Sequence, residues 1–335
     1  MTNFVYDVQR MQTLFLVGPT AVGKSAIALE LAGRLGAEIV SADSMQVYRG
    51  MDVGTAKPTA AERAFVPHHL IDVCEVNDVF DAKRFVELAS QAIADIHSRG
   101  KLALVVGGTG MYVRALRHGL FDGPPRNDEL RARLESLSAP ELFAELQRVD
   151  PQTASRIDRH NPRRLVRALE VFYETGKPIS ELQKEWKTPH LNPLPTSGER
   201  KRNAGGGQGE EVAVCLSRAR NDLHARIERR IDEQIQAGWV AEVQRLMGLG
   251  LEKNPSAMQA AGYRELVAHA HGEISLDNAV ALIKTRTRQL AKRQLTWFRR
   301  EPQLQWIQIG CEEQPSETAT RVRDIFHQQE KSLAR

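Results

Sequence analysis

The residues most able to do chemistry lie near the start of the chain. Gly18-Pro19-Thr20-Ala21-Val22-Gly23-Lys24-Ser25 has the G-x-x-x-x-G-K-[ST] spacing of a phosphate-binding loop. Glycine at positions 18 and 23 lets the backbone curl around an anion, partly with φ > 0. The amides so freed, with the N-terminus of the following helix, point at phosphate oxygens. Lys24 adds a point charge, and the Ser25 hydroxyl is a candidate ligand to Mg2+. Leu14–Val17 before the loop and Ala26–Leu35 after it supply the strand–loop–helix setting this motif requires. The loop implies a bound di- or triphosphate and leaves its identity and fate open. On this motif alone a kinase or NTPase is the leading reading.

The elements that must position the loop alternate strand and helix. Ala37–Asp43 reads as a second strand running into a polar loop, Asp43–Tyr48, and His69–Val73 as a short apolar run. Phe85, Leu88, Ala89, Ala92, Ile93 and Ile96 share one face of a helix over Ala82–Arg99. Leu102–Val106 is a buried-strand run, followed by Gly107–Gly110 and a helical stretch to Arg117. The alternation predicts an α/β fold with a doubly wound parallel sheet. Ligands in such sheets sit at the carboxyl ends of the strands. The phosphate loop, Asp43 and Thr109 each follow a strand, so all three are expected to face one crevice.

After Gly123-Pro124-Pro125 the chain becomes helical and charged to about Trp186, with no strand candidate. Leu165, Leu169 and Phe172 form an apolar stripe there, with Arg163, Arg164 and Arg167 on another side. From this segment alone, a nucleic-acid contact and a solvated basic face are both open. Lys187–Glu211, rich in Pro and Gly, reads as a mobile loop. Val212–Leu216 resumes the sheet, and a helix runs from about Asp222 to near Gly238 with Leu223, Ile227, Ile231 and Ile235 at i+4 spacing. A last long helix, Asp277–Arg300, has Val280, Ile283, Leu290, Trp297 and Phe298 as its apolar stripe. Its segment Lys284–Arg300 holds seven Lys/Arg and no acid, a balance that favours a nucleic-acid backbone over a solvated face. Leu304–Ile309 is a final edge strand, and Gly310–Arg335 reads as a polar tail.

With 335 residues, one large domain plus a second unit is expected, of ordinary soluble composition. The net charge of +4 says little about partners by itself. Cys74, Cys215 and Cys311 form no C-x-x-C pair, which argues against a zinc site or a disulfide framework. No run of 18 apolar residues and no leader-like segment is present. The expectation is a cytoplasmic monomer without an obligate protein partner.

Six segments occur in order: Gly18–Ser25, Ser41–Pro58, Val106–Thr109, Arg164–Val171, Ala261–Tyr263 and Arg288–Gln294. Together they resemble the bacterial tRNA dimethylallyltransferase (tRNA isopentenyltransferase) family, from about residue 13 to 309. The resemblance implies a P-loop NTPase-like core over residues 1–125 and 212–310. It further implies a small all-helical insert (126–186) that clamps the tRNA anticodon stem, a flexible loop (187–211) and a C-terminal tail (311–335). Its implied activity is transfer of a dimethylallyl group from dimethylallyl diphosphate to N6 of adenosine 37 of tRNA, with Mg2+ as cofactor. Gly18, Pro19, Thr20, Ala21, Val22, Gly23, Lys24 and Ser25 would then hold the donor diphosphate in place of ATP. Arg220 matches a diphosphate-contacting arginine, and Asp43 the catalytic aspartate, working beside Lys24 and Ser25. Thr109 and Arg131 match positions near the target nucleotide. Asp43, Ser44, Met45, Gln46, Val47, Arg163, Arg164, Arg167, Arg288, Lys292, Arg293 and Gln294 match tRNA-contacting segments. Lys187–Glu211 departs from the family pattern, being longer and richer in Pro and Gly. The competing readings are a P-loop small-molecule kinase, an adenylate-type isopentenyltransferase acting on free nucleotides, and an RNA-binding nucleotide switch.

Overall fold

The computed structural model describes residues 13–120, 123–183 and 211–333. The chain divides into two compact units, Met1–Arg117 with His190–Arg335, and His118–Pro189. The first begins with β1 (Thr13–Val17), α1 (Lys24–Leu35), β2 (Glu38–Ser41), α2 (Ala60–Phe65), β3 (His68–His69), α3 (Ala82–Ser98), β4 (Ala103–Gly107) and α4 (Gly110–His118). The second holds α5 (Asp128–Glu135), α6 (Ala139–Val149), α7 (Pro151–Ala154), α8 (Pro162–Thr175) and α9 (Ile179–Leu182). The first then resumes with β5 (Val212–Arg218), α10 (Arg220–Gln236), α11 (Trp239–Gly248), α12 (Tyr263–Ala270), α13 (Leu276–Phe298), β6 (Gln305–Ile309) and α14 (Pro315–Leu333).

The six strands form one parallel sheet in the order β3-β2-β4-β1-β5-β6. Every residue of β1 is buried, as expected of a central strand covered on both faces. Val17 at its carboxyl end is level with Gly107 of β4 and Cys215 of β5, and Ser41 of β2 with Val106. Register therefore delivers the segments after β1, β2 and β4 to the same sheet edge. α1 turns Ile27, Ala28, Leu31 and Ala32 inward, and α3 turns Phe85, Val86, Ala89, Ile93 and Ile96. Of the expected run His69–Val73 only His69 lies in a strand, because Leu70 (φ 62) and Asp72 (φ 57) are left-handed.

Two further expectations need correcting. The division between the units falls at Arg117/His118, ahead of the Gly123–Pro125 turn. Arg117 is buried, with its Nε 2.6 Å from Glu211 and its guanidinium 6.0 Å from the Phe15 ring centroid, so α4 is anchored in the sheet unit up to that residue. The expected polar tail carries a helix, α14, over most of its described residues. α14 buries Ala319, Val322 and Phe326, and Arg34 of α1 donates to Thr320 Oγ1 at 2.8 Å. Its apolar positions are few and separated by charge, which hides their helical spacing. The loop expected at 187–211 lies, Glu211 aside, outside the described residues.

The second unit has a core of its own: Leu130, Leu134, Leu142, Leu146, Leu165, Val166 and Leu169 pack together. Asn127 caps α5 and Asn161 caps α8, each through its side-chain oxygen. Leu165 and Leu169 of the expected stripe are fully buried, while Arg163 and Arg164 are exposed.

Candidate active site

The phosphate loop is built by close approach and by left-handed backbone. A Cβ on Gly18 would lie 2.7 Å from the Leu216 carbonyl oxygen of β5, and Gly23 has φ 108, so both positions require glycine. Ala21 is also left-handed (φ 62), a conformation that costs a non-glycine residue roughly 1–2 kcal/mol. Two arginines hold it there. Arg226 Nε donates to the Ala21 carbonyl at 3.0 Å, and Arg218 Nε to the Val22 carbonyl at 2.9 Å. With these carbonyls tied outward, the intervening amides face inward. Val22 is fully buried and anchors the loop from beneath.

Lys24 Nζ folds back onto the loop, donating to the carbonyls of Gly18 (2.9 Å) and Pro19 (2.7 Å). Burial lowers its pKa to about 8, against the opposing attraction of Asp43. Asp43 Oδ1 accepts from the Met45 amide at 2.8 Å and the Gln46 amide at 3.4 Å, a side-chain-closed turn that starts the loop after β2. Its Oδ2 has no hydrogen-bond partner among the described residues. Thr109 Oγ1 accepts from the Ser44 amide at 3.0 Å, tying the ends of β2 and β4 together.

Two cavities meet at this edge. One, of about 110 Å³, is lined by Lys24, Ser25, Gln46 and the first turn of α1. The other, of about 330 Å³, is largely apolar, walled by Ile227, Ile231, Trp239, Leu290 and Trp297. Thr20, Asp43, Thr55, Gly108, Arg230 and Gln294 line both. Leu290 and Trp297, expected in the packed stripe of α13, are instead half-buried cavity walls, while Ile283 and Phe298 are packed. Gln294 bridges the site: its Oε1 accepts from the Thr20 amide at 2.9 Å, and its Nε2 donates to the Gly108 carbonyl at 2.9 Å.

Of the residues singled out in the sequence, Thr20, Asp43 and Thr109 do line one cavity. Ala21, Ser44, Met45, Arg293 and Gln294 join them, and Lys24, Ser25 and Gln46 line the smaller one. Three expectations differ. Arg220 is exposed at the first residue of α10 and lines neither cavity. Arg230, nearly three turns further along the same helix, lines both; burial lowers its pKa, against the attraction of Asp43. Val47 is fully buried, so its side chain is core and cannot touch RNA. The cations of α13 are not unopposed in space. Lys284 pairs with Asp232 (2.7 Å), Arg288 with Glu228 (2.5 Å) and Arg286 with Glu265. Lys292 is exposed. Arg131, Arg163, Arg164 and Arg167 belong to the helical unit.

Sequence reasoning also missed the support behind the site. Glu242 of α11, almost fully buried, accepts from the amides of Asp52 (2.8 Å), Val53 (2.7 Å) and Gly54 (3.2 Å) and from the Tyr263 hydroxyl (2.7 Å). Gln234 Nε2 donates to the Val53 carbonyl at 2.6 Å, so the Asp52–Thr55 turn is fixed on both its polar sides. An acid amid an amphipathic helix carries no signal of this role. Glu242→Ala leaves four donors unmatched and is expected to lower stability by about 3 kcal/mol, with a smaller loss for Glu242→Gln, read by urea unfolding.

Among the described residues no group of three or more His, Cys, Asp or Glu could hold a metal, and no helix is long and apolar enough to cross a membrane. A metal at the smaller cavity would find few protein donors, the exposed Ser25 hydroxyl among them, and would draw the rest of its oxygens from the ligand itself.

Comparison with known proteins follows the same outline. The family described as IPP transferase matches residues 46–301. A protein named tRNA dimethylallyltransferase from Geobacter metallireducens is 46% identical over 310 residues, covering 90% of this chain and 94% of its own length. The crystal structure of the full-length tRNA isopentenylpyrophosphate transferase from Bacillus halodurans superposes with a TM-score of 0.67 at 34% identity, over 97% of this chain and 100% of that one. A eukaryotic dimethylallyltransferase acting on tRNA superposes with a TM-score of 0.70 at 28% identity, over 86% of this chain and 70% of that one.

Proposed function

The chain belongs to the IPP transferase family, and from that premise we propose that it transfers a dimethylallyl group from dimethylallyl diphosphate to N6 of adenosine 37 of tRNA. The observation that carries the reading is the pair of cavities with Asp43 on the wall of both. The small polar one suits a diphosphate, cradled by the loop amides, Lys24 and Arg230. The larger apolar one suits the prenyl chain and a base taken out of the RNA stack, as enzymes acting on a base require.

Asp43 stands where the two meet. The adenine N6 lone pair is delocalised into the ring, so the amine is a weak nucleophile whose N–H becomes acidic as the new bond forms. N6 bonds to the allylic carbon, the carbon–oxygen bond to diphosphate breaks, and Oδ2 of Asp43 takes the N6 proton. The departing diphosphate takes the bonding electrons, and Lys24, Arg230 and the loop amides stabilise the charge where it develops. Mg2+, held by Ser25 and the diphosphate, would supply further positive charge to the leaving group. The basic residues of α13 and of the helical unit His118–Pro189 contact the RNA backbone around the anticodon.

Labelled dimethylallyl diphosphate with Mg2+ and an unmodified anticodon stem-loop tests this reading. Label is expected in the RNA, and none when adenosine 37 is replaced by guanosine. Label in free AMP or ADP would assign the chain to nucleotide prenylation, and ATP hydrolysis without transfer to the kinase class.

The Lys24 pKa adds a pH prediction. Protonated Lys24 binds phosphate, and in the free protein it loses its proton as pH rises through about 8. Pyrophosphate affinity is therefore expected to fall above that pH, with proton uptake on binding measurable by calorimetry in buffers of different ionisation heat. The stability sign is opposite. The folded pKa lies below the ordinary 10.5, so the unfolded chain binds more protons between about 8 and 10.5 and the free protein gains stability across that window.

A further inference from the structure

In the helical unit, Glu170 of α8 is fully buried, and its carboxylate collects four donors. These are the Asn127 amide (3.0 Å), Arg131 Nε (2.8 Å) and Nη2 (2.9 Å), and Arg167 Nη1 (2.6 Å). Its pKa is lowered to about 2, because these bonds outweigh the burial that would raise it. A buried carboxylate is costly unless paired and hydrogen-bonded, and this one is. One arginine would have sufficed to neutralise it. Here a single anion holds two, one from α5 and one from α8, leaving a net charge of +1 on the trio. Both arginines remain partly open, with side chains 22% and 31% exposed. Arg131 spends its Nε–Nη2 edge on Glu170, so its Nη1 has no protein partner among the described residues. Arg167 is pinned a second time, its Nη2 donating to the Pro124 carbonyl at 3.2 Å.

We propose that Glu170 is a positioning residue that pre-orders Arg131 and Arg167 as a rigid pair of phosphate-facing guanidiniums for RNA. The proposal rests on the reading above that this unit contacts RNA. Free arginines lose rotamer freedom when they meet a phosphate, and a buried carboxylate removes that loss beforehand.

Charge arithmetic and positioning make opposite forecasts. Removing a negative charge beside two arginines should tighten RNA binding if Glu170 acts only through its charge. Positioning requires binding to weaken. The test measures Kd for the unmodified anticodon stem-loop against salt concentration, using the full chain and its Glu170→Gln, Arg131→Ala, Arg167→Ala and Glu170→Gln/Arg131→Ala variants. Glu170→Gln is expected to weaken binding about ten-fold and to reduce the magnitude of the log K–log salt slope by about one. The KM for RNA should rise far more than kcat falls, and the double variant should lose less than the product of the two single losses, the remainder being the share that runs through Arg167. Equal or tighter binding by Glu170→Gln, with Arg131→Ala weakened, overturns the positioning role and leaves the RNA reading standing. Unchanged binding by both arginine variants overturns the RNA reading, and the proposal with it. If Glu170→Gln does not fold, Arg131→Lys carries the test. It keeps the charge but loses the two-pronged bond, so the same weakening is expected, and wild-type binding would reject the proposal.

Discussion

Asp43→Asn is expected to slow prenyl transfer about 10²–10⁴-fold at saturating substrates while RNA affinity is retained. The separation follows from the two oxygens of the side chain. Oδ1 holds the turn after β2 by accepting from Met45 and Gln46, and asparagine keeps that acceptor. Only the basic Oδ2 is lost, replaced by an amide that cannot take a proton. Single-turnover transfer of labelled donor, beside filter binding of the stem-loop, reads the two quantities apart. An equal loss in both would mean that Asp43 builds the RNA surface and is not the base; undiminished turnover would place the base elsewhere.

Lys24→Ala is the second large expected loss, about 10²–10³ in kcat/KM for dimethylallyl diphosphate. The lysine is the charged group that the loop itself encloses, held by the Gly18 and Pro19 carbonyls. A bound diphosphate competes for the same protons and meets a cation already desolvated, so the interaction is stronger than at an open surface. Kinetics with the donor varied, and calorimetry with inorganic pyrophosphate, should both register the loss. Unaltered donor kinetics would show that the diphosphate rests outside the loop.

The parts of the site legible in the sequence are those dictated locally. Gly18 and Gly23 report backbone demands that few residues can meet; the strands before the loop and Thr109 are apolar runs, and Ile39 and Val40 mark the one that leads to Asp43. Register at the sheet edge then brings the three together without further information. What stayed hidden depends on long-range placement. Arg230 sits mid-helix among Arg226 and Arg229, and only the direction in which α10 leaves β5 shows that it, and not Arg220, lines the cavities beside Asp43. Glu242 is one acid among many until the Asp52–Gly54 amides arrive from a distant part of the chain. Leu290 and Trp297 share their periodicity with packed positions, and only the neighbouring helices show that a cavity stands before them. In α14 the short side chain of Ala319 gave too faint an apolar signal between Thr318 and Thr320.

The pairing of α13 with α10 and α12 makes its basic face an ion exchanger and not a bare electrode. Lys284, Arg286 and Arg288 already hold Asp232, Glu265 and Glu228. An RNA backbone that uses these cations must displace resident carboxylates, which then stand as neighbouring negative charges. Fewer small counterions are released than the seven cations of Lys284–Arg300 would suggest. Binding at this helix should therefore be less sensitive to salt than its composition implies. A polyanion of matching charge density but wrong shape gains little there, because it must evict the same carboxylates without the compensating contacts of a fitted fold.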